Sequence, residues 1–571
     1  TKCKHCYKCV RNCDVKAIMI KDGKAEIIPE LCVLCGHCLQ VCPQSAKTLI
    51  SDLDMVKYMV SRGEKVIVSI APSYMGLLKH HSIGQINTAL RKLGFTDVRE
   101  TSEGAAVVTA EYDRLLAEGK MENIITTCCP SVNDLVEIYY PELVPMLAPV
   151  VSPMVAHGMM LRKEYGRDAK IVFLGPCIAK KKEAADERHP GFINAVLNFN
   201  DINQWLEEKD IVISECEDTP FKQLDPKVNR LYPITNGVVS SILATQKKAD
   251  AYHKFYVHGT KNCMDLCESL VKGEIKNCFI EMNMCSGGCV KGPTVEDDAF
   301  ISRFKIKLDM EESIPQEPVD EQGLAQAMEG LDFGKRFENH APRDPMPSEE
   351  KIREILAEIG KTKPEDELNC GACGYPTCRE KAIAVYQGKA ELNMCIPYMH
   401  DKAESLANLV METSPNLVLI VDQDLKIREY SAVGEKFFGK TRQEALQMYL
   451  YEFIDPADFQ WVFETKNSIH GKKVTYSDYN NLSTLQNIVY IEKEDVVLAT
   501  LIDITREEEQ ARQDYETKLE TIDLAQKVIH KQMMVAQEIA GLLGETTADT
   551  KTTLTKLCHS LLEDGKESEV K

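Results

Sequence analysis

Cysteine spacing limits this chain more than any other feature. Cys3, Cys6, Cys9 and Cys13 follow the pattern C-x2-C-x2-C-x3-C; Cys32, Cys35, Cys38 and Cys42 repeat it, with Pro43 directly after. Short loops of this kind place three thiolates around one face of an iron–sulfur cube, and a distant thiolate closes the site. The competing reading is zinc, which takes four ligands, typically from two C-x2-C pairs. The whole chain has 22 cysteines in 571 residues and begins Thr1-Lys2-Cys3 without an apolar leader. Clustered cysteines without a leader point to metal binding in a reducing compartment rather than to disulfides, so a cytoplasmic, anaerobic protein is expected.

A chain this long is expected to hold several domains. A net charge of -20 argues against nucleic acid as a partner, since phosphate binding needs clustered Lys and Arg. Leu143 to Leu161 carries no charged residue, but Pro145, Pro149 and Pro153 would break a spanning helix. A buried core passage is expected there, and no membrane span.

The two N-terminal runs resemble two-cluster bacterial ferredoxins, in which the fourth cysteine of each run ligates the other cluster. The resemblance implies one 4Fe–4S cluster on Cys3, Cys6, Cys9 and Cys42 and a second on Cys32, Cys35, Cys38 and Cys13. Asp14 departs from the pattern, standing where proline is usual.

Beyond residue 60, short apolar runs (Lys65 to Ile70, Ile124-Ile125, Lys170 to Leu174) alternate with helical periodicity, as over Ile83 to Leu93. This predicts an α/β domain with largely parallel sheets. Three loops carry cysteines: Thr126-Thr127-Cys128-Cys129-Pro130, Pro176-Cys177-Ile178-Ala179-Lys180-Lys181-Lys182-Glu183, and Glu281-Met282-Asn283-Met284-Cys285-Ser286-Gly287-Gly288-Cys289. In order and spacing they resemble the three signatures of FeFe (iron-only) hydrogenases. The resemblance implies an H-cluster whose 4Fe–4S half is held by Cys129, Cys177, Cys285 and Cys289. Cys289 would bridge to a diiron subsite carrying CO, cyanide and a dithiolate with a central amine. Lys180 would hydrogen-bond one cyanide. Pro72 and Ser73, in Ala71-Pro72-Ser73, would hold the other. Cys128 would pass protons to the bridging amine; its bland alternative is a small buried hydrophobe.

Several positions depart from the fast enzymes of that family. Gly175 and Asn283 stand where they carry methionine, and Ser152-Pro153-Met154 replaces Ser-Pro-Gln. Tyr112 and Leu115 align with two glutamates of the proton relay, leaving Glu111 and Glu183 as nearby carriers. These differences resemble the sensory branches and imply slow turnover. Cys263, Cys267 and Cys278 are expected to be structural, and Cys216 and Cys558 have no evident partners.

After a charged, proline-containing linker from Glu338 to Glu350 come Cys370, Cys373, Cys378 and Cys395. Their spacing resembles a small 4Fe–4S domain of electron-transfer subunits and corrinoid proteins, with a helix over Arg379 to Lys389. Strands at Asn416 to Val421, Leu425 to Tyr430, Ile488 to Ile491 and Val496 to Ile502, with a helix over Arg442 to Met448 and an exit at Asp503-Ile504-Thr505, resemble a PAS domain. His470 is read as solvated on a polar loop, and no cofactor is assigned there. From Arg506 onward the chain reads as helix. Tyr515, Leu519, Ile522, Gln526, Ile529, Met533, Ala536, Ala540 and Leu543 make either a coiled-coil seam or an amphipathic face packed on its own domain.

The expected architecture is multidomain, α/β and α+β. It comprises a ferredoxin-like head with two 4Fe–4S clusters (1–55), an H-cluster domain (60–340), a single 4Fe–4S domain (345–400), a linker and PAS domain (401–506) and a helical tail (507–571). The expected function is slow, reversible hydrogen chemistry used as a sensor. Its partners would be H2, protons, a redox protein such as ferredoxin, a downstream kinase or phosphatase, and a second copy of the chain. Two other readings are a metabolic ferredoxin-linked hydrogenase and a non-catalytic Narf-like iron–sulfur protein.

Overall fold

The computed structural model describes residues 2–222, 227–245, 251–295, 299–313, 321–540 and 548–563. It divides into two compact units, Thr1–Tyr398 and Met399–Lys571.

The first unit begins with strands β1 (Ile18–Lys21) and β2 (Lys24–Ile27), paired antiparallel around Asp22-Gly23. Both turn residues have positive φ, 49° and 71°, as a two-residue hairpin of matching twist requires. The cysteine repeat is also a backbone repeat. Positive φ recurs at His5 and Leu34, at Tyr7 and Gly36, and at Lys16 and Ser45, and a short helix follows in each run (Lys8–Arg11, His37–Gln40).

Seven strands build the next region: β3 (Val66–Ile70), β4 (Asp97–Glu100), β5 (Asn123–Ile125), β6 (Lys170–Leu174), β7 (Ala195–Leu197), β8 (His253–His258) and β9 (Cys278–Asn283). They form two wholly parallel sheets, ordered β4-β3-β6-β7 and β5-β9-β8. Every residue of β3 and of β9 is buried, as in a parallel sheet covered on both faces. The uncharged segment from Leu143 is a short 3-10 turn (Pro141–Met146) and a buried helix (Pro153–Tyr165), the expected core passage. That helix crosses Ser102–Glu118 so closely that a Cβ on Gly104 would lie 2.2 Å from the Pro153 carbonyl oxygen. Among the described residues no helix is long and apolar enough to cross a membrane. The small cysteine module contributes helices Glu349–Glu358 and Cys378–Tyr386, the latter starting one residue earlier and ending three earlier than expected.

The second unit is a five-stranded antiparallel sheet, ordered β11-β10-β14-β13-β12. Its strands are β10 (Leu417–Val421), β11 (Ile427–Tyr430), β12 (Ile469–Tyr476), β13 (Leu482–Ile491) and β14 (Val496–Asp503). β12 corrects the sequence reading, which placed His470 on a loop; His470 is exposed on an edge strand. Edge strands can be polar on both faces, so β12 carries no apolar alternation to betray it. The helix expected over Arg442 to Met448 is only Arg442–Ala445. The tail is two helices in the described residues, Thr505–Ala540 and Ala548–Glu563, and the second touches the first. Of the seam positions, Tyr515 and Leu519 are exposed, Ile522 is buried, and Leu543 lies outside the described residues.

A buried ionic cluster ties the first sheet to its helices. Arg99 at the end of β4 is fully buried, and its Nε donates to Glu103 Oε1 at 2.9 Å, its Nη2 to Glu103 Oε2 at 2.5 Å and its Nη1 to Glu164 Oε2 at 2.7 Å. Breaking such a pair on one side strands a buried charge, at a cost of about 3–5 kcal/mol, whereas removing both partners costs far less. Urea unfolding of the metal-free Trp461→Phe chain, followed by Trp205 fluorescence, is expected to show a loss of about 3–5 kcal/mol for Arg99→Met, with much of it restored by adding Glu103→Leu. Additive losses would contradict the coupling.

Candidate functional site

In a parallel sheet every strand delivers its carboxyl end to the same edge, and loops there form the functional crevice. β3 ends into Ala71-Pro72-Ser73, β6 into Gly175-Pro176-Cys177, β5 into Thr126 to Cys129, and β9 into Met284 to Cys289. The two sheets thus bring four chemistry-bearing loops to one place. Cys177, Cys289 and Cys129 are the first charged neighbours of Cys285, and Cys289 has Cys177, Cys129 and Cys128 around it. The second and third loops are stitched by Thr294 Oγ1, which donates to the Pro176 carbonyl at 3.0 Å. Gly288, at φ 88°, lets the third loop turn where a Cβ would lie 2.6 Å from the Pro233 oxygen.

Burial pushes these thiols up: Cys177 to about 11, Cys128 to about 12, and Cys285 and Cys289 well above the usual thiol range. A bound cation reverses that balance and takes the thiolate form outright.

Lys180 is buried, and its Nζ donates to Glu183 Oε2 at 2.6 Å and to the Cys128 carbonyl at 3.2 Å. Burial alone would lower its pKa; the Glu183 carboxylate more than offsets this and holds it above the ordinary lysine value. An ammonium has three donors, so one remains for an anionic ligand. Ser73 is fully buried, and its Oγ has no hydrogen-bond partner among the described residues. Buried hydroxyls are normally paired. Four gathered thiols, a buried ammonium with a spare donor and an orphaned hydroxyl fit a cyanide-bearing iron cluster.

Cys128 sits among buried polar groups that the sequence reading did not connect. Glu281 and Lys180 are its charged neighbours after Cys129, and Tyr112 and Tyr232 both have Cys128 among theirs. Tyr112 Oη accepts from Thr127 N at 2.9 Å, and Tyr232 Oη lies 2.7 Å from Thr109 Oγ1. Glu281 is fully buried on β9; its Oε2 accepts from Val239 N at 3.0 Å and its Oε1 from Asn283 Nδ2 at 2.8 Å. Asn283 therefore does what a methionine could not. Gly175 also has a local reason, since a Cβ there would lie 2.7 Å from the Phe173 ring and 3.1 Å from Ala71 Cβ. Glu183 also accepts from Ser152 Oγ at 2.9 Å, whereas Glu111 is paired at the surface with Arg114. The signal for Glu281 was available: a carboxylate inside the otherwise apolar run Cys-Phe-Ile-Glu-Met.

The other cysteine sets also gather. Cys13 has Cys35, Cys32 and Cys38 as neighbours; Cys9 has Cys3 and Cys6; Cys373 has Cys395 and Cys370, and Lys381 lies beside Cys395, Cys373 and Cys378. Cys42 mirrors Cys13, each Sγ accepting the backbone N–H four residues on, from Ala46 at 3.4 Å and Ala17 at 3.3 Å. Cys263, Cys267 and Cys278 are buried in the core.

Fold and site together define an iron–sulfur protein of α/β type with an attached PAS fold. Residues 64–293 match the family formed by the C-terminal domain of the iron-only hydrogenase large subunit. Residues 2–46 match a 4Fe-4S dicluster domain, 366–397 an Fe-S cluster family and 407–492 the PAS fold. The chain therefore carries an iron-only hydrogenase domain joined to iron–sulfur and PAS domains. It is 28% identical over 366 residues to Iron hydrogenase 1 of Clostridium pasteurianum, covering 51% of this chain and 63% of that one, so it spans under two thirds of that relative's length. It is 22% identical over 340 residues to the human nuclear prelamin A recognition factor, covering 48% of this chain and 75% of that one. A solved FeFe-hydrogenase from Chlamydomonas reinhardtii superposes on 51% of this chain and all of its own, with TM-score 0.44 and 16% identity.

Burial raises the Glu281 carboxyl to about 7. In the metal-free chain a protonated-carboxyl infrared band is expected to fade as pH rises through about 7, and to be missing in Glu281→Gln. A band that titrates unchanged in that variant would contradict the assignment.

Proposed function

We propose that this chain performs slow, reversible hydrogen chemistry, 2H+ + 2e− to H2, and reports hydrogen or redox state through its PAS domain. The observation that carries the reading is the convergence of three cysteine loops with buried Lys180 and the unpartnered Ser73 hydroxyl. Cys129, Cys177, Cys285 and Cys289 would hold the 4Fe–4S half of an H-cluster, which when bound supplies a diiron centre for making and splitting H2. Lys180 and Ser73 would orient its cyanides, with Pro72 shaping the turn. Cys128 would hold and move the proton at its Sγ. Three further 4Fe–4S clusters would sit on Cys3, Cys6, Cys9 and Cys42, on Cys32, Cys35, Cys38 and Cys13, and on Cys370, Cys373, Cys378 and Cys395.

Proton supply supports the slow rate. At the aligned relay positions stand a buried tyrosine, Tyr112, and the apolar Leu115. The carboxyls that do reach the site are Glu281 and Glu183, and each is held by several donors. On this reading the domains would be a head (1–55), an H-cluster domain (60–340), a single-cluster module (345–400), a linker and PAS domain (401–506) and a tail (507–571). The exposed Tyr515 and Leu519 support pairing of two chains through the tail. A ferredoxin-type protein and a kinase or phosphatase would complete the partners, in a cytoplasmic setting.

After the diiron subsite is loaded, exchange of D2 with water measures hydrogen chemistry directly. Slow HD formation is expected, falling by about 10²–10⁴-fold in Cys128→Ala. A rate rivalling fast metabolic hydrogenases would overturn the sensory role, and an unchanged rate in Cys128→Ala would overturn its proton role.

A further inference from the structure

The single-cluster module is docked on the ferredoxin-like head. Ile20 N of β1 donates to the Lys389 carbonyl at 3.1 Å, Arg11 Nη1 to the Ala372 carbonyl at 3.2 Å, and Gly23 N to Glu391 Oε1 at 3.3 Å. Behind these bonds lies one shared apolar cluster, with Cys9, Val10, Ile18 and Ile20 from the head against Cys373, Tyr375 and Met394. The approach is close enough to demand glycine at 374, where φ is 98° and a Cβ would lie 2.7 Å from Val10 Cγ1. Tyr375 is 5% exposed in this seam, and its Oη has no hydrogen-bond partner among the described residues. The thiols of Cys373, from the module, and Cys13, from the head, are its charged neighbours.

On its other side the head is seated on the hydrogenase-type domain. Tyr139 Oη donates to the carbonyls of Val15 at 3.0 Å and Leu31 at 2.7 Å. Cys35 is among the neighbours of Cys285. The cysteine sets therefore run in order: core, head, module.

We propose that the 370–395 module exchanges electrons with the head across the Cys9–Val10 and Cys373–Tyr375 face, and that Tyr375 is a positioning residue whose hydroxyl donates to a cluster sulfur there. The step is a one-electron transfer. A reduced head cluster is oxidised, the module's cluster is reduced, and no bond, proton or leaving group moves. The module is then the outlet of the head rather than a second inlet to the core. Hydrogen bonds to cluster sulfurs raise the reduction potential, so the orphaned Oη has a task at this crossing.

The inference rests on the cluster assignment above but not on the diiron unit, so the full chain loaded with cubanes alone tests it. With all cubanes reduced, the electron paramagnetic resonance signal of the module's cluster is expected to be split by a head cluster. Val10→Asp should lose the splitting, and Cys177→Ser should keep it. Tyr375→Phe should keep it too, while shifting the module's potential to a more negative value. No splitting in the fully reduced parent chain, or splitting lost in Cys177→Ser and kept in Val10→Asp, would overturn the route; an unchanged potential in Tyr375→Phe would overturn the role of its hydroxyl. Amide exchange at Ile20 and Gly23 reports docking even if Val10→Asp loses iron. Protection in the parent that vanishes in the variant supports the docked face, and absent protection in the parent overturns it. Iron missing from the 370–395 set while those amides stay protected would instead refute the cluster assignment.

Discussion

A thiol removed from water resists ionisation, and the architecture around Cys129, Cys177, Cys285 and Cys289 turns on that constraint. Two parallel sheets deliver four thiols to one enclosed place where burial holds them protonated. Charge from outside would make them ligands, and a bound iron cluster would supply it. Lys180 extends the same logic beside these thiols. Its buried ammonium is tolerable because Glu183 answers it, and the pair leaves a donor free for an anion. Folding alone leaves this centre polar and incompletely paired. Occupancy by a charged cluster would complete it.

Local contacts surround the positions that the sequence reading set apart. Asn283 holds the Glu281 carboxyl in place. Gly175 leaves its space to the Phe173 ring and Ala71. Tyr112 has its hydroxyl fixed on the Thr127 backbone. Each of these residues has a local reason in the packing or hydrogen bonding around it.

The cysteine runs were legible in the sequence because their spacing is local: three cysteines of each head run lie within seven residues. The parallel sheets were legible too, as apolar runs ending in functional loops. Long-range polar contacts were not. Glu281 meets Val239 42 residues away, Arg99 meets Glu164 65 away, and Tyr139 reaches Leu31 108 away. No periodicity encodes such partners; they exist only once the fold has closed. β12 escaped for a different reason, since an edge strand with exposed faces need not alternate. The docked face of the small module was hidden likewise, because Val10 and Gly374 lie at opposite ends of the first unit's sequence.

Anaerobic infrared spectroscopy of the fully loaded chain, under hydrogen and then argon, tests the central claim most directly. The account predicts cyanide and carbonyl bands that shift reversibly with the gas. With all cubanes intact, the absence of those bands would contradict it and leave an electron-transfer protein on a hydrogenase fold.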